Sequence, residues 1–173
     1  MLAISPAQPQ QECDSMSTDT RPAVTQVDVR GPRFTAWVTT AVLVIALLVS
    51  TVSQLGAAVV LGVQAVVFAV GAAFGPRRHP YGRVFARLIA PRLSPVTERE
   101  PVPPLKFAQL VGLVFAAAGA VGFATGLSAL GLIATGLALV AALLNAAFGI
   151  CLGCQLYPLV ARVRRNPRVP SPV

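Results

Sequence analysis

The chain has 173 residues, of which 55% are hydrophobic and only 12% are charged, and its formal net charge is +8. A water-soluble domain carries roughly 25% charged residues, whereas residues 34–76 and 107–161 contain none. This composition excludes a soluble globular domain. Each charge-free block is long enough for two membrane-crossing helices, since one crossing takes about 20 apolar residues.

The N-terminal segment, residues 1–29, is polar and contains prolines, so we predict that it is disordered. It lacks the basic start and the apolar core of a cleavable signal peptide. Met16 also reads as a plausible start of translation, and we therefore assign no role to Cys13.

Each charge-free block is interrupted once by residues that suit tight turns, at Ser53-Gln54-Leu55-Gly56 and at Thr125-Gly126-Leu127-Ser128. The fold class predicted is an all-α integral membrane four-helix bundle, built from two tandem hairpins at residues 30–76 and 107–161. The predicted spans are residues 34–53, 57–75, 107–125 and 128–150.

A basic linker, residues 77–106, connects the two hairpins. Its stretch YGRVFARLIAPRL, residues 81–93, places an apolar stripe between arginines at helical spacing, which predicts a short amphipathic helix in the membrane interface. Residues 94–105 are rich in proline and are predicted to form an exposed connection.

All lysines and arginines lie within residues 1–33, in the linker and in the tail at residues 162–173, and both hairpin tips have none. Positive charge marks the cytoplasmic side. We therefore predict a multi-pass plasma-membrane protein with both termini in the cytoplasm. Because the arginines flank membrane spans, the predicted partner of this charge is the lipid bilayer and not a nucleic acid.

The two hairpins read as copies of one unit. Arg33-Phe34 recurs as Lys106-Phe107 near the start of each, and the letters AAFG of residues 72–75 recur at residues 146–149. Both copies run in the same direction, which predicts a parallel internal repeat. By this repeat, the stretch Pro76-Arg77-Arg78-His79-Pro80 corresponds to Cys151-Leu152-Gly153-Cys154, so we expect Arg77, Arg78 and His79 near the cysteines.

Glycines four residues apart let membrane helices approach closely. We expect the three such pairs to pack inside one bundle, with a homodimer as the alternative. The pairs are Gly71 and Gly75, Gly122 and Gly126, and Gly149 and Gly153. Asn145, inside the fourth span, is predicted to bond to Gln64 or Gln109 across helices.

Cys151 and Cys154 are three residues apart and would share one face of a helix. We predict them at the C-terminal end of the fourth helix, where the helix dipole disfavours a thiolate. Activation of a thiol would then come from neighbouring cations. The candidates are Arg77, Arg78, His79 and Arg162.

Three interpretations of this pair stay open, and with them whether the protein is an enzyme. One is a thiol–disulfide or sulfur relay. Another is a soft-metal site, such as Cu(I) held by Cys151, Cys154 and His79. The third is simple packing in a non-catalytic membrane scaffold or small helical bundle. A four-cysteine zinc site would need a second pair, and cytosolic thiols are kept reduced, which argues against a permanent disulfide.

Four stretches together resemble a family of bacterial, especially actinobacterial, membrane proteins, domain of unknown function 4395. They are VDVRGPRFTAW, GPRRHPYGRVFARLIAPRL, PPLKFAQLVG and above all NAAFGICLGCQLYPL, which includes Tyr157. The resemblance covers residues 26–162 and implies a thioredoxin-like or rhodanese-like cytosolic partner. In that relay, Cys154 would exchange with the partner, and Cys151 would resolve the mixed disulfide or hold a persulfide. No cofactor is predicted, and a membrane quinone is one acceptor open to such a relay.

Overall fold

The computed structural model describes residues 26–94 and 98–164. These residues form six α-helices and a two-stranded ribbon. The strands are β1 (Gln26–Asp28) and β2 (Arg99–Pro101). The helices are α1 (Arg30–Ser50), α2 (Gln54–Phe74), α3 (Pro80–Val84), α4 (Val102–Ala124), α5 (Ser128–Phe148) and α6 (Leu152–Arg164).

Four of these helices, α1, α2, α4 and α5, are long and apolar enough to cross a membrane. The predicted all-α four-helix bundle is confirmed. Three of the helices begin earlier than predicted: α1 at Arg30, α2 at Gln54 and α4 at Val102. The first turns of α1 and α4 take in proline and basic residues that lie outside the predicted spans. The prediction of an exposed connection is wrong from Val102 onward, where Pro103 and Pro104 lie in the first turn of α4. Proline fits there because its missing N–H would have no partner within the helix.

The four long helices pack in the cyclic order α1, α2, α4, α5, so that each has two main neighbours. Their buried core combines many small side chains with a few larger ones, including Leu43, Leu61 and Phe123. Large apolar residues such as Trp37, Ile45 and Ile133 are exposed on the outside instead. In water such a surface would be unfavourable, whereas lipid chains solvate it. The inside-out distribution agrees with a protein that lies in a bilayer.

The hairpin tips are closed by local hydrogen bonds. Ser53 caps α2, with its Oγ accepting the backbone N–H of Gly56 at 3.0 Å. At the second tip, Gly126 adopts a φ of 78°, a conformation that favours glycine. Nε2 of Gln54 donates to Oγ of Ser128 at 2.6 Å, which ties the two tips together.

The predicted glycine pairs serve different purposes. A methyl group on Gly122 would lie 2.5 Å from the backbone nitrogen of Gly131, so this glycine lets α4 approach α5 closely. A methyl group on Gly71 would meet the ring of His79. Both contacts lie within one chain, as expected. The homodimer stays a prediction.

The ribbon joins the segment before α1 to the segment before α4. Gln26 pairs with Pro101 and Asp28 with Arg99 in an antiparallel arrangement. The prediction of disorder is therefore wrong for residues 26–28. The remainder of that prediction, residues 1–25 with Cys13 and Met16, lies outside the described residues, as do residues 95–97 and 165–173.

The linker is helical from Pro80 to Arg92, but only its first turn is α-helical. A π-helical turn (Phe85–Ile89) and a 3₁₀ turn (Ala90–Arg92) follow. Phe85, which the amphipathic pattern places on the lipid-facing stripe, is buried. Its ring lies 5.7 Å from that of Phe34, so this residue anchors the linker on α1.

The two halves follow the same course beyond their hairpins. After α2, α3 packs on α1; after α5, α6 packs on α4. Gly75 and Gly149 both have positive φ at the ends of α2 and α5. The side chain of Lys106 lies beside Gly75, and the guanidinium of Arg33 lies beside Gly149. Helix α5 thus ends beside a guanidinium from the other half, which favours the negative end of a helix dipole, and α2 ends beside the aliphatic stem of a lysine from the other half.

We call this end of the bundle, where α2 and α5 end and α3 and α6 follow, the linker end.

Candidate functional site

The two cysteines lie at the start of α6 and not at the end of α5. Helix α5 ends at Phe148, and Gly149 follows with a left-handed φ of 69° while its N–H donates to the carbonyl of Asn145 at 3.0 Å. Such a residue stops a helix. The prediction of a helix C-terminus is therefore wrong. The apolar run continues through the break, so hydropathy alone did not reveal it.

The new position brings the two sulfur atoms together. Cys151 immediately precedes α6, and its Sγ accepts the backbone N–H of Cys154 at 3.3 Å, as a capping side chain does. The thiol of Cys154 also donates to Sγ of Cys151, with the sulfurs 2.6 Å apart. Both cysteines are free and half-buried. A disulfide, with its sulfurs about 2.05 Å apart, is thus within reach of small side-chain movements.

This geometry makes the two thiols unequal. The hydrogen bond from Cys154 lowers the pKa of the Cys151 thiol, with help from backbone N–H groups at the start of α6, although burial opposes the shift. Donating that bond raises the pKa of Cys154, and burial raises it further. A lowered pKa at the first thiol of a helix-leading C-x-x-C is the pattern of reactive dithiols. Cys151 is therefore the more acidic of the two thiols.

The predicted cationic activators do not cause the pKa shifts of these thiols. The charge that acts on both cysteines is the carboxylate of Glu100, which raises their pKa values. Burial raises the pKa of Glu100 itself, and the nearby Arg33 opposes this. Sequence reasoning missed Glu100, because only the ribbon brings β2 to this position.

Helix α6 is seated tightly against α4. A methyl group on Gly153, between the cysteines, would lie 2.6 Å from the Cα of Ala108. One turn further along α6, the ring of Tyr157 lies 6.2 Å from that of Phe107. Tyr157 is therefore a packing residue, and its contact with α4 holds the dithiol in place.

A cavity of about 680 Å³ lies inside the linker end, and Cys151 is on its border. Its walls are mainly apolar and come from α1, α2, α4 and α5, with residues of the linker and of the α6 region also in the lining. Polar side chains interrupt the apolar lining at a few points. They are Asp28, Thr35, Thr39, Arg77, His79, Gln109 and Asn145.

The only histidine of the chain is part of this lining. His79 is 1% exposed, and neither ring nitrogen has a hydrogen-bond partner among the described residues. Burial lowers its pKa from an ordinary value of 6.5 to about 4, while the neighbouring amide of Gln109 offsets part of that shift. The ring is therefore neutral at pH 7, with one nitrogen that donates and one that accepts.

The buried histidine predicts a stability that depends on pH. Between pH 6.5 and about 4, the imidazole of the unfolded chain binds a proton, whereas the buried imidazole of the folded chain stays neutral. The free energy of unfolding is therefore at its full value above about pH 6.5 and decreases as the pH falls toward 4, by at most about 3 kcal/mol. Melting temperatures in detergent, measured across this range, should show the loss. In His79→Gln the loss should shrink, and an unchanged slope would contradict the assignment.

The other predicted residues are distributed around the site. Arg77 borders the cavity, and its Nη2 donates to the carbonyl of Gln26 at 3.5 Å. Arg78 points elsewhere, with its guanidinium 5.7 Å from the ring of Phe74. Arg162 is exposed on α6.

The predicted pairing of Asn145 with a glutamine is not formed among the described side chains. Gln64 instead accepts the hydroxyl of Tyr81 at 2.9 Å, which fixes α3 to α2.

The described part of the chain contains no group of three His, Cys, Asp or Glu side chains that could hold a metal ion. The set of Cys151, Cys154 and His79 is thus not assembled as a metal site in this structure. Cys151 and His79 share the cavity lining without forming such a cluster.

The fold and the site together define a four-span membrane protein with a dithiol at the border of an apolar cavity. A family model described as Domain of unknown function (DUF4395) matches residues 27–162. The chain belongs to this family. No curated protein and no solved structure matches it.

Proposed function

We propose that this protein is a thiol–disulfide or sulfur relay of the bacterial plasma membrane that acts through Cys151 and Cys154. The observation that carries the proposal is the placement of the two sulfurs 2.6 Å apart at the start of α6. One thiol with a lowered pKa beside one with a raised pKa is what sequential thiol exchange uses.

The hydrogen bonds support a definite order of events. The Cys151 thiolate attacks a disulfide sulfur of the partner, so that one S–S bond forms while the partner's S–S bond breaks and its second sulfur leaves as a thiolate. Cys154 then loses its proton and attacks Cys151. The products are the Cys151–Cys154 disulfide and a reduced partner. Each exchange is reversible, so a partner that arrives reduced regenerates the dithiol by the same steps in the opposite direction. This order exchanges the roles assigned from the sequence, where Cys154 makes the first contact.

The partner we propose is a cytosolic thioredoxin-like or rhodanese-like protein. The arginines and the lysine of the described residues lie at the linker end, and the hairpin tips have no charge. By the positive-inside rule this supports a linker end in the cytoplasm, together with both termini. The half-buried cysteines at this end would then be within reach of a soluble partner.

The proposal is tested by the redox state of the pair in intact cells. Cells that express the Cys13→Ser variant are quenched with acid, and free thiols are labelled with a maleimide of high mass. We expect a mixture of the dithiol and disulfide forms that moves to the disulfide after diamide and returns after its removal. Loss of Cys13 leaves only the two cysteines of interest to read.

The Cys151→Ala, Cys154→Ala double variant is the control for function, and the growth of cells under oxidant is the second readout. A pair that stays a dithiol under every condition, in cells that grow like those with the double variant, would leave a non-catalytic scaffold as the function.

A further inference from the structure

The cavity beside Cys151 has the size and lining of a ligand site. Its volume of about 680 Å³ lies within the roughly 300–1,000 Å³ typical of small-molecule pockets. On α4 its lining runs from Leu105 to Phe115, a depth of about 15 Å along the helix. The site thus reaches from the linker end well into the apolar part of the bundle.

Buried polar atoms in this cavity lack partners. Among the described residues, Oγ1 of Thr39 makes no hydrogen bond, and neither ring nitrogen of His79 nor the neighbouring Oε1 of Gln109 makes one of good geometry. His79 is 1% and Thr39 is 3% exposed. An unsatisfied buried polar group costs about 1–3 kcal/mol. A ligand that supplies the missing partners would remove that cost.

The unpartnered atoms restrict the chemistry of the ligand. A neutral imidazole and a hydroxyl can each donate to a carbonyl oxygen, and the amide oxygen of Gln109 can accept from a hydroxyl. An acyl chain offers neither group at this depth. A flat apolar ring with carbonyl oxygens that become hydroxyls on reduction satisfies these donors and this acceptor in its two redox states.

We infer that the cavity binds an isoprenoid quinone, which accepts the electrons of the dithiol. Cys151 borders the cavity, whereas Cys154 is not among the described lining residues. This inference rests on the proposed function, since it names the acceptor of that relay when the exchange steps run from a reduced partner toward the membrane.

The step balances without a further reactant. The two S–H bonds of Cys151 and Cys154 break, and one S–S bond forms. Both electrons and both protons pass to the quinone, whose two carbonyl oxygens become the hydroxyls of the quinol. A partner that arrives reduced would then regenerate the dithiol and leave as a disulfide.

Binding is tested apart from redox activity in the Cys151→Ala, Cys154→Ala variant, reconstituted in nanodiscs of saturated phospholipid. The probe is a menaquinone analogue with one isoprene unit, and its control is the naphthalene with the same tail and no carbonyl oxygen. Calorimetric titration should show saturable binding of the quinone, at least about tenfold tighter than that of the control. Equal affinities would identify a site for lipid chains and overturn the inference.

Three further variants test the polar contact of His79 and the volume of the cavity separately. His79→Leu should weaken quinone binding by about tenfold and leave the control compound unchanged. Ala141→Phe, which fills the cavity, should abolish binding, whereas Ala147→Phe on the exposed side of the same helix should not. Quinone binding unaffected by His79→Leu and by Ala141→Phe would also overturn the inference.

The two proposals fail in different ways. Absent quinone binding with a pair that still cycles in cells would refute the quinone and keep the relay. Quinone binding with a pair that never cycles would refute the relay and leave a quinone-binding membrane protein.

Discussion

In the purified protein, Cys151→Ser is expected to lower the rate of reaction with a disulfide reagent by on the order of a hundredfold, since exchange requires the thiolate and the remaining Cys154 has a raised pKa. In Cys154→Ser, Cys151 is still expected to attack the reagent, but no second thiol remains to resolve the mixed disulfide. The serine hydroxyl retains a donor for the Cys151 sulfur. Stopped-flow measurements with an aromatic disulfide, in the Cys13→Ser background, give both rates.

The same two variants behave differently toward a partner. Cys154→Ser should accumulate a mixed disulfide through Cys151, whereas Cys151→Ser should accumulate none. Mixed disulfides that accumulate only in Cys151→Ser would restore the opposite order, with Cys154 as the attacking thiol. Cys154→Ala removes the donor altogether, so the pKa of Cys151 should rise further in this variant than in Cys154→Ser.

Gly153→Ala is expected to loosen the dithiol from the bundle without altering either cysteine. The added methyl group would lie 2.6 Å from the Cα of Ala108, and a backbone atom cannot move aside as the end of a flexible side chain does. Helix α6 must therefore shift away from α4. Overpacking of this kind costs about 1–3 kcal/mol. The melting temperature should fall, and the Cys151 thiol should lose part of its enhanced reactivity.

The matched control is Gly136→Ala in α5, where a methyl group would meet no atom within 4 Å. Alanine also has the higher helix propensity, so this change should leave stability unchanged or raise it slightly. If the Gly153→Ala and Gly136→Ala variants have the same thiol reactivity and melting temperature, then the position of α6 does not depend on its contact with α4. The described packing of the cysteines would then be wrong.

The long helices were predictable because the absence of charge over residues 34–76 and 107–161 leaves few structures other than membrane-crossing helices. Their first turns were not, because Arg33 and Lys106 were taken as the flanks of the spans. In the structure each lies inside a helix and approaches the glycine that ends a helix of the other half. A window of hydropathy cannot report such a contact between distant parts of the chain.

The candidate site was predictable in its residues but not in its chemistry. The cysteine pair and the histidine were identified from the sequence, and Cys151 and His79 do share a cavity. The direction of the helix at the cysteines was missed, because Gly149 stops α5 within an apolar run. That single residue moves the pair from the negative end of one helix to the positive end of the next. Glu100 was missed because its position depends on the pairing of β1 with β2.

The likeness of the two halves ends at their last helices. Helices α3 and α6 occupy corresponding places on α1 and α4, which are diagonal to each other in the bundle. The first of these places carries the neutral imidazole of His79, and the second carries the dithiol. A nearly symmetric scaffold therefore places a histidine at one of two corresponding positions and the dithiol at the other. Two identical hairpins would repeat one of these groups and lack the other, so the difference between the halves is what gives the cavity both an imidazole and a thiol.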